Sequence, residues 1–514
     1  MFKTYNFTCM LIALTLMAGC KKEILEKEPL AKVVDANFYK SEEDITQALS
    51  AAYDPIGWES NPGGSIYANP FFFGDVVSDD ARKGGNGISD IGNFHFLETF
   101  TGNGSYPELL LPWQRYYTGI YRANQVITNV PRSEAPQGVK DRIIAEAKFL
   151  RAYYHFELVK LYGDVPLITK VLTPEEYSLT RTPKADVYAQ IETDLSEAAA
   201  VLPHKGVLNN QDGRATKGAA WALLARVQMY QTLANPSKWD QVLTNSELVI
   251  NSLKYDLEDN YADIHSVSTE HGIESIFEIN HSTGIAGAGG TDNSTWAEGN
   301  EGTFINIMTR GRSNGGWGFN VPTLDLLAAF QVEKTTANAE DPRLAATIIQ
   351  NGDMVHGEAY VTDATVYPNT GLYSRKYIEP ITSYGLNQSD GPSNIRVIRF
   401  ADVLLMAAEA ANELNNPTLA LQYLKRVRDR VDMPEITETD KTLLRTIIWN
   451  ERRLELALEG HRFFDLVRQD RAATVMKATV EGSNFDEGVH EVFPIPQVEI
   501  ELSQGRIKQN FGYN

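Results

Sequence analysis

The chain has 514 residues, 43% hydrophobic and 22% charged, with 47 basic and 67 acidic side chains for a formal net charge of −20. That length supports a large core, and the composition is that of an ordinary globular protein. The acidic balance argues against nucleic acid and against general attraction to anionic polymers.

Residues 1–19 read as an export signal. Lys3 gives a positive start, Phe7 to Met17 is mostly apolar, and Ala18 and Gly19 are small. The apolar run has the length of a signal-peptide core and falls short of the ~20 residues a membrane-spanning helix needs. Cys20 follows directly, in LTLMAGCKKE, and the arrangement resembles the lipobox at which bacterial lipoproteins are cleaved and acylated. Met17 stands where that pattern usually has leucine, with Leu16 one position further out. Cleavage there removes Cys9 and leaves Cys20 as the mature chain's single cysteine, with no disulfide, no cysteine metal site and no thiol nucleophile. An acyl anchor is the use that remains; stable anchoring takes more than one lipid chain.

Residues 20–40 read as a lipidated polar tether and 41–514 as a single domain. Ser41 is placed to cap a first helix, with Glu42, Glu43 and Asp44 in its opening turn. Ile45, Ala48, Leu49 and Ala52 recur at helical spacing. A stretch of Gly, Asn, Asp and aromatics over about 55–110 is loop chemistry. Helix resumes from Pro112 in PWQRYYTGIYRANQVITNV and continues through DRIIAEAKFLRAYYHFELVKLYGD. There Ile144, Ala147, Leu150, Tyr154, Leu158 and Leu161 share a face, and Gly163 and Pro166 stop it. Thr182-Pro183 opens the next helix, which runs to Pro203. Two more follow in RATKGAAWALLARVQMYQTLANP and WDQVLTNSELVINSL.

The region 255–395 turns irregular again. ESIFEINHS is strand-like, whereas GIAGAGGTDNSTWAEGNEGT and TRGRSNGGWGF read as long loops, of a kind usually functional or disordered. Helices return in IRFADVLLMAAEAANEL, PTLALQYLKRVRDR and DKTLLRTIIWNERRLELALEGHRFFDLVRQ, and the tail is Pro-rich and mostly extended. The fold class is therefore mainly α. Paired helices suggest a tetratricopeptide-like stack, cut by loop-rich insertions at about 55–110 and 255–395.

Catalytic signatures are scarce. No HExxH, GxSxG or P-loop occurs, and GIAGAGG precedes no helix, which argues against a dinucleotide loop. No metal site or cofactor is indicated. His155 lies beside apolar residues and reads as a packed polar residue. A glycosidase needs two carboxyl groups about 5–10 Å apart. Asp75, Asp79 and Asp80 offer one cluster in a loop, and Glu451, Glu455 and Glu459 another on a helix. The second alternates with Arg452, Arg453 and Arg462, which favours a structural ion-pair network. Trp113, Trp221, Trp239 and Trp449 sit in helical patterns and read as core. Trp58, Trp296 and Trp317 sit in Gly- and Asn-rich loops. An indole face there suits the C–H face of a pyranose, and polar neighbours suit its hydroxyls. The same rings could equally pin the loops, and on pattern alone both readings stand.

The stretch AEAKFLRAYYHFELVKLYGDVPLIT, Ala145 to Thr169, resembles the signature helix of SusD/RagB-like surface glycan-binding lipoproteins. NFYKSEEDITQALSAAY, WQRYYTGIYRANQVI, GRATKGAAWALLARV, DPRL (Asp341 to Leu344), IRFADVLLMAAEAANEL, ERRLELALEGHRFFDLVR and FPIPQVEIELSQGRIKQNFGY are similar to family blocks in the same order. The resemblance implies a SusD-like scaffold of four tetratricopeptide-like helix pairs with an irregular, loop-rich ligand-binding lobe. It implies a lipid anchor at Cys20 on the outer face of the outer membrane. The implied role is capture of oligosaccharide, without cleavage, for a SusC-like TonB-dependent transporter, with no nucleic acid and no cofactor involved. Trp296 and Trp317 become the expected stacking rings and Trp58 a weaker third. Asp79, Asp80 and Arg82 become hydrogen-bonding partners from the early loop, and Asn300, Arg310 and Asn314 hydroxyl partners near the tryptophans. A ring after the early aspartates can come only from Phe94, Phe96 or Tyr106. Some relatives capture peptides on the same scaffold, which keeps a peptide groove as an alternative; two exposed carboxylates facing one cleft would instead make a glycoside hydrolase.

Overall fold

The computed structural model describes residues 38–59, 69–208, 212–283, 302–361, 367–368, 370–385 and 390–513. Cys20, the signal and most of the tether, Trp296 and Asn300 lie outside the described residues.

The first helix, α1 (Glu42–Tyr53), starts as its sequence dictates. The Ser41 hydroxyl accepts the Asp44 N–H at 3.1 Å, and the Asp44 carboxylate accepts the Ser41 N–H at 2.8 Å. This reciprocal capping box satisfies two donors that the first turn leaves open. Ile45, Ala48, Leu49 and Ala52 are buried, as their spacing predicts.

Helices then follow in series: α2 (Pro107–Asn129), α3 (Gln137–Tyr162), α4 (Lys184–Val201), α5 (Lys217–Met229) and α6 (Trp239–Ile250). Each packs on the next in chain order. A later group continues the stack: α7 (Phe400–Glu413) packs on α6, on α8 (Pro417–Arg430) and on α9 (Lys441–Glu455). Small side chains permit the close approach. Ala219, Ala220, Ala222 and Ala225 of α5 are fully buried, and a Cβ at Gly119 of α2 would lie 2.3 Å from the Tyr154 ring of α3. His155 is packed as expected. Its Nδ1 faces the Arg151 carbonyl at 2.9 Å and its Nε2 accepts the Ile168 N–H at 3.3 Å. Burial holds it down at about 3, so it is neutral at physiological pH.

Several boundaries differ from the expectation. α2 begins at Pro107, with Pro112 inside it. Pro107 suits the first turn, and Pro112 forgoes only one early helical bond. Thr182 does not cap α4; its N–H donates to the Val165 carbonyl at 3.0 Å, and Pro183 takes the cap position. The long helix expected near the C-terminus breaks into α9 and α10 (Arg462–Arg468), with Leu458 and Gly460 at positive φ between them. The tail contains a short helix, Gln497–Leu502, where extended chain was expected.

Two antiparallel ribbons stitch the irregular regions together. β1 (Ala81–Gly84) pairs with β3 (Phe319–Pro322), Arg82 opposite Val321. β2 (Ser275–Ile279) pairs with β4 (Ile395–Arg399).

Beneath them the interior is ionic. The fully buried Glu455 accepts from Arg399 at 2.6 Å and from Arg430 at 2.5 Å, and Arg343 lies 3.4 Å away. Arg343 also pairs with Asp341 at 2.7 Å and Glu451 at 2.5 Å. Arg452 bridges Asp465, at 2.8 Å, and Asp402, which is also held by Arg226 of α5. Burial alone would push Glu455 up, but Arg430, Arg399 and Arg343 hold it well below the usual carboxylate range. Glu451, Glu455 and Glu459 thus belong to a structural ion-pair network, as expected, but their partners are remote, Arg343, Arg399 and Arg430 among them, and not the alternating Arg452, Arg453 and Arg462. Glu455→Gln should leave buried guanidiniums undercompensated and cost about 3–5 kcal/mol in urea unfolding, whereas Asp429→Asn, at the exposed Lys425–Asp429 pair, should leave the midpoint in place.

Asp75 titrates the other way. It is fully buried and accepts the Gly460 N–H at 2.9 Å and the Asn320 amide at 3.3 Å. Burial pushes it up to about 8, and the Gly460 bond offsets only part of that. A raised folded value means that its stabilising contribution is complete below the unfolded pKa of about 3.9 and is lost as pH climbs toward 8. Asp75→Asn does not titrate. Its melting temperature relative to the parent should therefore rise steadily from about pH 5 to about pH 8, within that window, in paired thermal melts.

Candidate ligand-binding site

Trp58 follows the 3₁₀ turn Asp54–Gly57 that ends α1. Its carbonyl accepts from Arg115 of α2, and the Arg122 guanidinium lies 5.3 Å from its ring. The next residue, Glu59, is buried. Its carboxylate accepts the Thr303 hydroxyl at 2.8 Å and the Phe304 N–H at 2.6 Å. The Phe304 ring sits 6.1 Å from Trp317. Trp317 in turn is fastened by its own N–H to the Ile307 carbonyl at 2.9 Å. Thr303 also exchanges backbone bonds with Gly391 at 3.0 and 3.1 Å. The Glu59 carboxylate therefore ties the residue after Trp58 to the Thr303–Phe304 stretch, which Thr303 links on to Gly391 and which packs near Trp317; Trp58 and Trp317 are both half-buried.

Beside Trp58 opens a cleft of about 390 Å³, lined among others by Tyr53, Asp54, Trp58, Arg214, Asn280 and His281. That volume lies in the range of small-molecule sites. Its polar groups are held in place. Arg122 donates to Asp54 at 2.6 Å, and Arg214 to Glu146 at 3.2 Å. Tyr53 donates to Glu146 at 2.9 Å and accepts the Ala215 N–H at 2.8 Å. The His281 N–H donates to Asn394 at 2.7 Å. An indole beside carboxylates, guanidiniums and an amide is chemistry suited to a polyol with an apolar face.

The early-loop residues do something else. Asp79 accepts from Arg462 at 2.7 and 2.8 Å, and Asp80 from Arg453 at 2.7 Å, all four groups being largely buried. Burial opposes ionisation of Asp79, yet Arg462 and Arg453 hold it down at about 2. At Asp80 burial wins, and its pKa is raised. These carboxylates brace the early loop against α9 and α10. Arg82 is likewise engaged, donating to the Ser78 and Ala81 carbonyls at 3.0 Å and pairing with Glu481 at 2.7 Å. Arg310 is 1% exposed. It donates to the Asn314 carbonyl at 2.6 Å and the Glu379 carbonyl at 3.1 Å, and pairs with Glu358. The Asn314 amide donates to the Ala359 carbonyl at 3.1 Å. Both residues build the turn that carries Trp317. Phe94 is core, stacked 4.0 Å from Phe72, while Phe96 is exposed and lies 6.0 Å from Tyr106.

Sequence reasoning missed Glu59, Arg122, Arg214, Asn280 and His281, whose only local signal is the position of Glu59 next to a loop tryptophan. The carboxylates that suggested hydrolysis are taken up by arginines or, for Asp75, buried. Among the described residues no cluster of metal-ligating side chains occurs.

Residues 273–513 match the SusD family, and residues 25–229 a family described as starch-binding and associating with the outer membrane. A solved laminarin-binding SusD-like protein is 32% identical and superimposes with a TM-score of 0.78, covering 92% of this chain and 100% of that one. The chain belongs to the SusD family. Another solved relative, surface glycan-binding protein A of Bacteroides thetaiotaomicron in complex with laminarihexaose, is 26% identical with a TM-score of 0.77, over 92% of this chain and 100% of that one. A SusD-like protein of Formosa agariphila is 28% identical over 482 residues, 87% of this chain and 86% of its own length. In this SusD-family chain the Glu59 clamp makes a direct test of site geometry. Glu59→Ala should leave the Thr303 and Phe304 donors without their acceptor and cost about 1–3 kcal/mol, with increased acrylamide quenching of tryptophan fluorescence as the two loops loosen.

Proposed function

We propose that this protein is a cell-surface lipoprotein that captures oligosaccharide on its loop-rich lobe and delivers it, uncleaved, to a SusC-like TonB-dependent transporter. The observation that carries the reading is the open polar cleft beside the Trp58 ring, whose neighbour Glu59 clamps the Phe304 stretch. The laminarin-binding and laminarihexaose-bound relatives support the ligand class. Trp296 and Asn300 are proposed, on resemblance alone, as a further stacking ring and a hydroxyl partner. Arg310, Asn314 and Arg82 serve by positioning these loops. Residues 41–514 act as one folded unit behind a tether, 20–40, whose acylated Cys20 holds the protein on the outer membrane.

Stacking on half-buried rings gives modest affinity, from millimolar to low micromolar, roughly −4 to −8 kcal/mol. A carrier that must release its cargo works in that range. Calorimetry of the soluble chain from Lys21 against plant, microbial and host glycans should find one binding class, and Trp317→Ala should weaken it about tenfold. Silence across all glycans, with binding to a peptide mixture, would replace the reading with a peptide-binding one. Cys20→Ser should move the expressed protein from the detergent phase to the aqueous phase in a phase-partition assay; retention in detergent would refute the anchor.

A further inference from the structure

The cleft beside Trp58 is distinguished by its charge. Asp54, Asp212 and Glu278 line it, against a single lining arginine, Arg214. Arg214 shares the Glu146 carboxylate, at 3.2 Å, with Arg142, at 2.6 Å. Arg122, next to the Trp58 ring, is matched by Asp54 at 2.6 Å. Glu278 is buried and engaged by Arg396 at 3.4 Å and by Asn394 at 2.9 Å. Asp212 is exposed at the rim. An entering carboxylate or sulfate therefore meets guanidiniums already engaged by acids, three lining acids against one lining arginine among the described residues, and a rim carboxylate that repels it. A cleft this small offers little room for salt to intervene, since screening acts over about 8 Å at physiological ionic strength.

A neutral sugar meets a different surface. Ile56 and Ile279 line the apolar side beside the Trp58 indole. The Asn280 amide, tethered to the Asp212 carbonyl at 3.2 Å, and the Asp212 carboxylate present polar groups to hydroxyls. Carboxylates are strong acceptors for neutral O–H donors.

We infer that the Trp58 cleft is a subsite for uncharged oligosaccharide that turns away uronate and sulfated chains. The inference rests on the glycan-binding reading and adds a charge filter to it. The test titrates the soluble chain from Lys21, by calorimetry, with neutral gluco-, manno- and galacto-oligosaccharides and with oligogalacturonate and sulfated galactan fragments of matched length. The best neutral chain should bind at least ~10-fold tighter than any anionic one. Trp58→Ala, shown folded by its thermal melt, should weaken neutral binding about tenfold. Asp212→Lys, at an exposed position, should narrow the neutral-to-anionic gap at least ~3-fold by raising anionic affinity. Anionic chains binding as tightly as neutral ones would overturn the inference, as would neutral binding indifferent to both substitutions. Absence of binding to every chain would instead overturn the glycan-binding reading itself.

Discussion

The buried carboxylates of α9 and the arginines that surround them are the constraint on which the rest depends. Glu455 cannot sit fully buried and ionised without Arg343, Arg399 and Arg430, and each guanidinium is equally stranded without its acids. Such a lattice is weak evidence for extra stability, because desolvation consumes most of the Coulomb gain. What it does enforce is geometry. Removing any member leaves an uncompensated charge, so the elements that supply the members must all be in place together. β4 supplies Arg399, α8 supplies Arg430, and the turn before residues 342–347 supplies Asp341.

The same lattice reaches the loops. Arg453 and Arg462 extend it to Asp80 and Asp79, across 373 and 383 residues of sequence. The strand that follows these aspartates is β1, and β1 pairs with β3, which begins two residues after Trp317. A side of the lobe that holds a candidate ring is therefore registered to the helical scaffold through ion pairs and one short ribbon. The other side is registered through Glu59 and α1. Loops that carry binding groups work best on a rigid frame, and here two independent ties provide it.

The sequence revealed those features whose physics is local. The Ser41 capping box, the α1 stripe and the packed His155 all depend on neighbours within a few turns, whereas Glu455 of α9 finds its arginines 25 to 112 residues away. Trp113 is buried as expected, while Trp221, Trp239 and Trp449 are only half-buried, because a helical pattern fixes the face but not the depth. The helix break at Gly460 was hidden because its cause is remote: its N–H serves Asp75, and Gly74 packs directly on its carbonyl. Asp79 and Asp80 looked like ligand-binding acids because their arginines lie at the far end of the chain. The Trp58 cleft was illegible for the same reason, being assembled from the end of α1, the residues before α5 and the end of β2.

The acidic composition acquires a spatial meaning from this arrangement. Arg310, Arg343, Arg399 and Arg452 are among the largest fully buried side chains, and Arg428, Arg430, Arg462 and Arg468 are nearly so. Acids are drawn inward with them, Asp402, Glu409, Glu451 and Glu455 among these, so the buried ion pairs leave the surface no more acidic than the 47 basic and 67 acidic residues imply. Inside, the guanidiniums are engaged by acids, as Arg343 is by Asp341 and Glu451, and do not face an anion arriving from solution. On the proposed reading, recognition at the loop lobe comes from ring faces and hydroxyl-sized hydrogen bonds, interactions that are weak singly and readily reversed. The buried ion pairs thereby fix the frame, and on the proposed reading the Trp58 cleft presents a ring, an amide and carboxylates to neutral, polyhydroxylated ligands.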